Sequence, residues 1–517
     1  MKLMINYIVI FTIVFLNGCT EDINSDNPAD MPSIKDGYPK LAMWWPDTRK
    51  QSPEELKRYD WIGFGAWDDF SAIENLKTIN PDQKHFMDYS ITETSWSDWQ
   101  NNTEVMKMIP SEWFLTQLGT LLALPMDADQ NKVFVEDLLD GQGNALFEID
   151  DEITCEYETM KVTDINLQEN TVTVERGFVR EAASHSKGVR IAPQITFWPK
   201  TWVMNMSSMC PKVDVGDGNG PQNWVEFATR YFEVDQMDLW DGFIVDRIED
   251  DQSWLVPDWC RSIDPDFSNQ TITDGYGDFD AAWNQGCAGF LEFLRNELSG
   301  KVLISNTSGD YYESLNGAIY EGYPGNWNNL VPETYQDWAD RTLNKKGYIN
   351  VSKSGFKPNY TLAETYEDED MPNDDGSYIN PYDQPGFTPD YQKLRYGLTT
   401  ALLGDGYFSY EINTAGHGGL GLMWFDEYDN TGKQRGYLGQ PKEDAYKVMD
   451  AGDGSVWRRE FENGTVICNP TNMEVMVELG STYWFIDGEQ SPDINSGKSV
   501  NKLNLGPRDG RILLNTD

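Results

Sequence analysis

Eight short apolar runs, each long enough for one buried strand, recur along this 517-residue chain and limit its fold more than any other feature. They are Leu41–Trp45, Trp61–Gly65, His85–Tyr89, Gly242–Ile248, Val302–Asn306, Gly317–Gly322, Tyr360–Thr365 and Tyr407–Glu411. Continuous apolar runs, in place of an alternating pattern, suit strands covered on both faces, as in parallel sheets. Amphipathic segments lie between several of them. Ser52-Pro53-Glu54-Glu55 reads as an N-cap with proline at the first helical position. Asn223 and Glu226 stand at the N-cap and N3 spacing of a capping box, and Phe279–Leu298 carries helical spacing up to Gly300. Eight strands with crossover helices predict an α/β fold of the (β/α)8 TIM-type barrel class. A doubly wound sheet is the alternative, but no G-x-G-x-x-G or P-loop follows any run.

Two regions break the rhythm. Residues 126–195 change to period-two alternation, as in Thr171-Val172-Thr173-Val174-Glu175, and predict a small antiparallel β insertion after the third strand. Beyond Gly452, turns at Glu462-Asn463-Gly464, Asp487-Gly488 and Asp509-Gly510 predict a C-terminal β-sandwich-like domain over 452–517. The barrel is then expected over 39–451. The first 18 residues have a basic start and an apolar run too short to span a membrane comfortably, which describes a signal peptide. Its ending, Leu16-Asn17-Gly18-Cys19, resembles the lipobox of bacterial lipoproteins and implies lipidation at Cys19. A polar tether over 19–38 opens with Thr20-Glu21-Asp22, similar to the surface-export signal of Bacteroidetes lipoproteins. The expectation is an outer-membrane lipoprotein facing the periplasm or the cell surface, in contact with the membrane only through that anchor.

Net charge is −45 at neutral pH, and a field of that sign repels phosphate backbones, which excludes nucleic acid as a partner. Nineteen Trp argue against disorder and fit neutral, ring-shaped ligands. The three histidines, His85, His185 and His417, assemble neither a Ser-His-Asp triad nor a metal site. No cofactor or metal is expected. Five cysteines follow the lipobox with no C-x-x-C pair, so buried thiols are expected, with one bridge, Cys260–Cys287, as the alternative.

In a barrel of this class the chemistry sits at the C-terminal ends of the strands. Asp246 closes the fourth run and Glu321 the sixth, each after apolar or small residues. A carboxylate there is costly unless it opens into a solvated site or is paired. Hydrolysis of a glycosidic bond requires two such groups, one as nucleophile or base and one as acid. Trp45, Asp47, Trp67, Asp68, Asn306, Tyr323, Trp327, Glu364, Glu411 and Trp424 are the candidates for contacts with a carbohydrate.

Several segments carry a family resemblance. Tyr38-Pro39-Lys40-Leu41-Ala42-Met43-Trp44-Trp45, Trp240–Asp246, Gly404–Ser409, Trp424–Tyr428, Tyr437-Leu438-Gly439 and Trp457-Arg458-Arg459-Glu460-Phe461-Glu462-Asn463-Gly464 resemble a glycosyl-hydrolase-like family numbered fifteen, over residues 38–485 apart from the insertion. The resemblance implies a nucleophile at Asp246 and an acid/base at Glu321; a retaining mechanism is the expectation, with inversion as the alternative. It carries no substrate. A non-catalytic glycan-binding lipoprotein on the same scaffold is the second reading. Replacing Cys19→Ala is expected to release the protein from the membrane fraction of its host, and equal retention in fractionation would refute the lipobox.

Overall fold

The computed structural model describes residues 37–49, 51–65, 68–96, 108–230, 237–255, 262–270, 276–326, 329–368, 387–413, 422–429 and 435–515. Cys19, Trp67, Cys260, Trp327 and His417 lie outside them. The chain divides into two compact units. One comprises Ser90–Asp235 with Asp246–Ser299, and the other comprises the chain up to Tyr89, Gln236–Val245 and Gly300–Asp517.

The second unit contains all eight expected strands: β1 (Ala42–Trp44), β2 (Trp61–Phe64), β3 (Lys84–Tyr89), β4 (Gly242–Val245), β5 (Val302–Ser305), β6 (Ile319–Tyr320), β7 (Leu362–Asp368) and β8 (Tyr407–Asn413). β1 to β5 pair in parallel, in that order, and β6 to β8 do the same. Two single parallel bridges, Ser305 to Ala318 and Leu41 to Phe408, join the sets at both edges. The pairings therefore run round a closed ring, as in a TIM-type barrel.

One apolar cluster draws on every strand. It contains Ala42, Trp44, Trp61, Phe86, Ile244, Val302, Ile304, Ile319 and Leu362, with Tyr407 packed against it. Side chains two apart on a strand share a face, so these residues define the interior. Gly63 makes room there. A Cβ at that position would stand 2.4 Å from Ile244 Cδ1 and 3.0 Å from Trp44 Cδ1. Local signals agree with the helices. Ser52 and Glu55 form the complete capping box of Pro53–Leu56, and helix Phe70–Ile79 starts on the Asp69 side chain.

The C-terminal sheet is a single six-stranded antiparallel layer. Its strands are β9 (Tyr446–Ala451), β10 (Gly454–Glu460), β11 (Gly464–Asn469), β12 (Val475–Phe485), β13 (Ser499–Leu505) and β14 (Asp509–Leu514), ordered β9-β10-β11-β14-β12-β13. It begins before Gly452 because that glycine, at φ +55°, turns the first hairpin and is not a linker between domains. Arg459 on β10 joins the sheet to the barrel. Its guanidinium is buried and donates to the carbonyls of Leu402 (3.2 Å) and Gly404 and to the Asp405 carboxylate, while Nε reaches the Glu443 carbonyl at 3.1 Å. Arg395 on helix Tyr391–Ala401 meets Asp509 of β14 at 3.3 Å.

The first unit is built round the β insertion. Its six-stranded sheet places Thr120–Leu121, Arg190–Pro193, Glu152–Cys155, Glu158–Asn166, Thr171–Glu175 and Lys132–Phe134 side by side. The sheet thus begins at Thr120, six residues ahead of the expected start, because a two-residue strand leaves no period to read. Glu158, at the start of one of these strands, is fully buried and accepts from Arg176 Nε (2.7 Å) and Nη2 (2.6 Å), His185 Nε2 (2.9 Å) and two backbone amides. Asn223 and Glu226 form the reciprocal cap of Trp224–Arg230.

Replacing Arg459→Met would leave two buried carbonyls without their donor and is expected to cost about 3 kcal/mol. A denaturant midpoint equal to wild type would show that the guanidinium is not the staple.

Candidate active site

The barrel interior changes from apolar to acidic within two residues on strand after strand. Phe86 is followed two residues on by Asp88, Ile304 by Asn306, Ile319 by Glu321 and Leu362 by Glu364, and on β8 Tyr407 leads to Ser409 and Glu411. Strand alternation places each of these side chains on the inner face, toward the C-terminal end of its strand. Asp246 stands two residues past Ile244, immediately after β4, and opens the second segment of the first unit.

Glu364 and Glu411 are sealed in, at 2% and 1% exposure. Among the described residues neither oxygen of Glu411, nor Oε2 of Glu364, has an N–H or hydroxyl donor; the two carboxyls meet each other. Burial, then the neighbouring charges of Glu411 and Glu321, push Glu364 well above the usual carboxylate range. Burial raises Glu411 to about 7, and its contact with Glu364 counters part of that rise. Two buried carboxyls in contact cannot both ionise, so the pair holds a proton at neutral pH, with Glu364 as donor.

Glu321 is half-buried. Asn306 Nδ2 lies 3.3 Å from its Oε2, and Arg341 donates to its carbonyl at 3.0 Å. Asp88 accepts from the Trp44 indole at 2.8 Å, and burial lifts its carboxyl to about 7. Trp45 sits at φ 55°, its ring centroid 4.6 Å from that of Trp44.

Other expected contacts have different surroundings. Asp68 is buried and binds the Thr48 amide and hydroxyl and the Gly65 amide, tying two loops together. Asp47 is bound to Arg49 at 2.8 Å. Tyr323 is fully buried with its hydroxyl 3.1 Å from Thr342 Oγ1, which leaves it no face for a ligand; it belongs to the core. Trp424 is half-buried, edge-on to Tyr428 at 5.6 Å and beneath Arg58 at 5.3 Å. Asp88 is legible from sequence as an acid at a strand end and Trp44 as an aromatic of the first run, but the hydrogen bond between them and the pairing of Glu364 with Glu411 are not.

The pair makes stability depend on pH with a definite sign. Its folded-state pKa values lie above those of the unfolded chain, so the protonated pair stabilises the fold below the unfolded value near 4.5. The part due to Glu411 is lost as pH rises through about 7. Glu411→Gln is therefore expected to raise the melting temperature relative to wild type at pH 8 and to change it little at pH 4.5. A difference that does not vary with pH would show that the carboxyls do not share a proton.

The family model described as hypothetical glycosyl hydrolase family 15 matches residues 183–465. No curated protein matches the chain. Three solved structures are similar to it at low identity. The glycoside hydrolase domain of PelA from Pseudomonas aeruginosa is 11% identical, with 74% of this chain and 96% of that one covered and a TM-score of 0.35. A noncanonic maltogenic alpha-amylase, AmyB from Thermotoga neapolitana, is 11% identical over 92% and 98%, with a TM-score of 0.41. A family GH36 alpha-galactosidase, AgaA from Geobacillus stearothermophilus, is 8% identical over 94% and 56%, with a TM-score of 0.35. The family match, which spans more than half of the 517 residues, leaves out Tyr38–Trp45 but takes in the segments from Trp240 to Gly464. The chain belongs to hypothetical glycosyl hydrolase family 15.

Proposed function

We propose that the protein is a glycoside hydrolase that acts on an extracellular poly- or oligosaccharide through Asp246 and Glu321, anchored to the outer membrane through Cys19. The observation that carries this reading is the acidic crown at the strand ends, above an interior that is otherwise apolar. Burying carboxyls at that depth costs stability, and a fold keeps such a cost where it serves chemistry.

Exposure separates the members of the crown. Glu364 and Glu411 are closed off, whereas Asp246 and Glu321 are each half-buried. In the retaining mechanism Asp246 attacks the anomeric carbon, the bond to the leaving oxygen breaks, and Glu321 gives that oxygen its proton. Glu321 then takes a proton from water as the water displaces Asp246, and the hemiacetal product leaves. Asn306 orients the acid/base by donating to its Oε2. The Glu364–Glu411 pair carries a proton next to Glu321 and adds less negative charge than two ionised groups would. Glu321 is thereby spared a second full charge beside it.

Screening plant, algal and microbial polysaccharides for released reducing ends identifies the substrate. On it, Asp246→Asn is expected to lose activity by a factor of about 10³ or more with an unchanged melting curve. Glu321→Gln is expected to lose most on substrates with poor leaving groups, because aryl glycosides with acidic phenols need little protonation. Full activity in Asp246→Asn would remove that residue from the mechanism. A folded protein inactive on the whole panel would favour the non-catalytic glycan binder.

A further inference from the structure

The first unit contains a cavity of about 190 Å³ whose lining includes none of the strand-end carboxylates. Gln117, Asp150, Asp151, Glu152, Gln194, Ile195, Thr196 and Leu255 line it. Gln194 marks it as more than a surface dent. Its side chain is buried, at 5% exposure, yet among the described residues neither Oε1 nor Nε2 has a hydrogen-bond partner. A primary amide left with both functions unmet inside a protein costs free energy that a bound polar group recovers.

An aromatic ledge adjoins the cavity along the chain. Thr196 leads into Phe197 and Trp198, and Leu255 follows Trp254. Trp198 and Trp254 are 40% and 48% exposed, and Phe197 packs between them at centroid distances of 4.7 and 5.4 Å. Arg247 lies 3.7 Å from the Phe197 ring centre and is held by Glu249 and Glu93, which fixes the ledge in place. Two large exposed indoles beside an apolar ring are an unusual surface for a chain this polar.

We propose that this cavity and ledge bind a neutral pyranose unit of a glycan chain, on a lining that includes neither Asp246 nor Glu321. The volume exceeds the ~150 Å³ that admits one six-membered ring. Acceptors at Asp151 and Glu152 and the two-way amide of Gln194 match hydroxyl groups, each of which both donates and accepts. The indoles offer flat apolar faces to the C–H side of the neighbouring sugar. Three consecutive acidic residues, on a chain of net charge −45, repel uronates and sulfated sugars. Those carboxylates do not converge as a metal's ligands would: Glu152 accepts from the Trp202 indole at 2.5 Å and Asp150 pairs with Lys161 at 2.9 Å.

Affinity electrophoresis of the whole protein tests the site, with gels containing starch, hydroxyethylcellulose, xyloglucan, arabinoxylan, galactomannan or laminarin. Wild type is expected to be retarded in at least one gel. Trp198→Ala, Trp254→Ala and Gln194→Met are each expected to weaken that retardation by about tenfold in apparent Kd, the scale of one lost contact. Asp246→Asn should migrate as wild type does, so that loss of hydrolysis and loss of this site are read separately. The three variants change different walls, and thermal melts identify any that misfolds. Absence of retardation in all six gels overturns the proposal, as does retardation that all folded variants retain. Retardation seen only in a seventh gel, containing polygalacturonate, or calorimetric binding of calcium that Gln194→Met abolishes, overturns it as well.

Discussion

A ring of parallel strands depends on the seam where its last strand meets its first. Here that seam is a single bridge, Leu41 to Phe408, with the Phe408 amide on the Lys40 carbonyl at 3.0 Å. The seam is reinforced from outside the barrel. The Tyr38 amide and carbonyl pair with Gly439 and Leu438, its hydroxyl donates to the Asp405 carbonyl at 2.9 Å, and Arg459 binds the same Gly404-Asp405 turn. The Asn463 amide closes the set on the Leu438 carbonyl at 2.9 Å. Barrel and C-terminal sheet thereby share one polar joint at the start of β8.

This joint explains what the sequence could and could not disclose. Four of the six segments that carried the family resemblance, Tyr38–Trp45, Gly404–Ser409, Tyr437-Leu438-Gly439 and Arg459 with Asn463-Gly464, meet at the seam, whereas Trp240–Asp246 ends on a strand-end carboxylate. The four identify the family through the part that holds it together. The eight strands were legible because a doubly covered strand must be apolar along its length. The strand-end carboxylates were legible for the complementary reason, that an acid ending such a run has no cheap alternative explanation.

What stayed hidden depends on neighbours that one strand does not specify. The contact of Glu364 with Glu411 follows from the register of β7 against β8, in which Glu364 stands beside Ser409. Spacing in sequence contains no trace of it. Tyr323 looked like a binding residue because it follows Glu321, but the turn carries it under Tyr348 and Thr342. Asp47 and Asp68 flank the expected site in sequence and spend their oxygens on loop geometry. Only geometry separates an acid that serves a loop from one that faces a ligand.

The four residues of β4 stand between two long excursions of the chain, one from Ser90 to Asp235 and one from Asp246 to Ser299. Both belong to the first unit, so β4 is threaded through the barrel by a lobe that is continuous only in space. Pairing β4 with β3 closes a loop of that whole length, at an entropic cost that grows with the logarithm of the loop. A lobe already collapsed on its own cluster of Leu118, Ile153, Val172 and Ile191 would shorten the loop that β4 has to close. The nascent chain gains a sequence of events from this arrangement: the lobe's first segment is complete when β4 emerges, and the ring waits for β8.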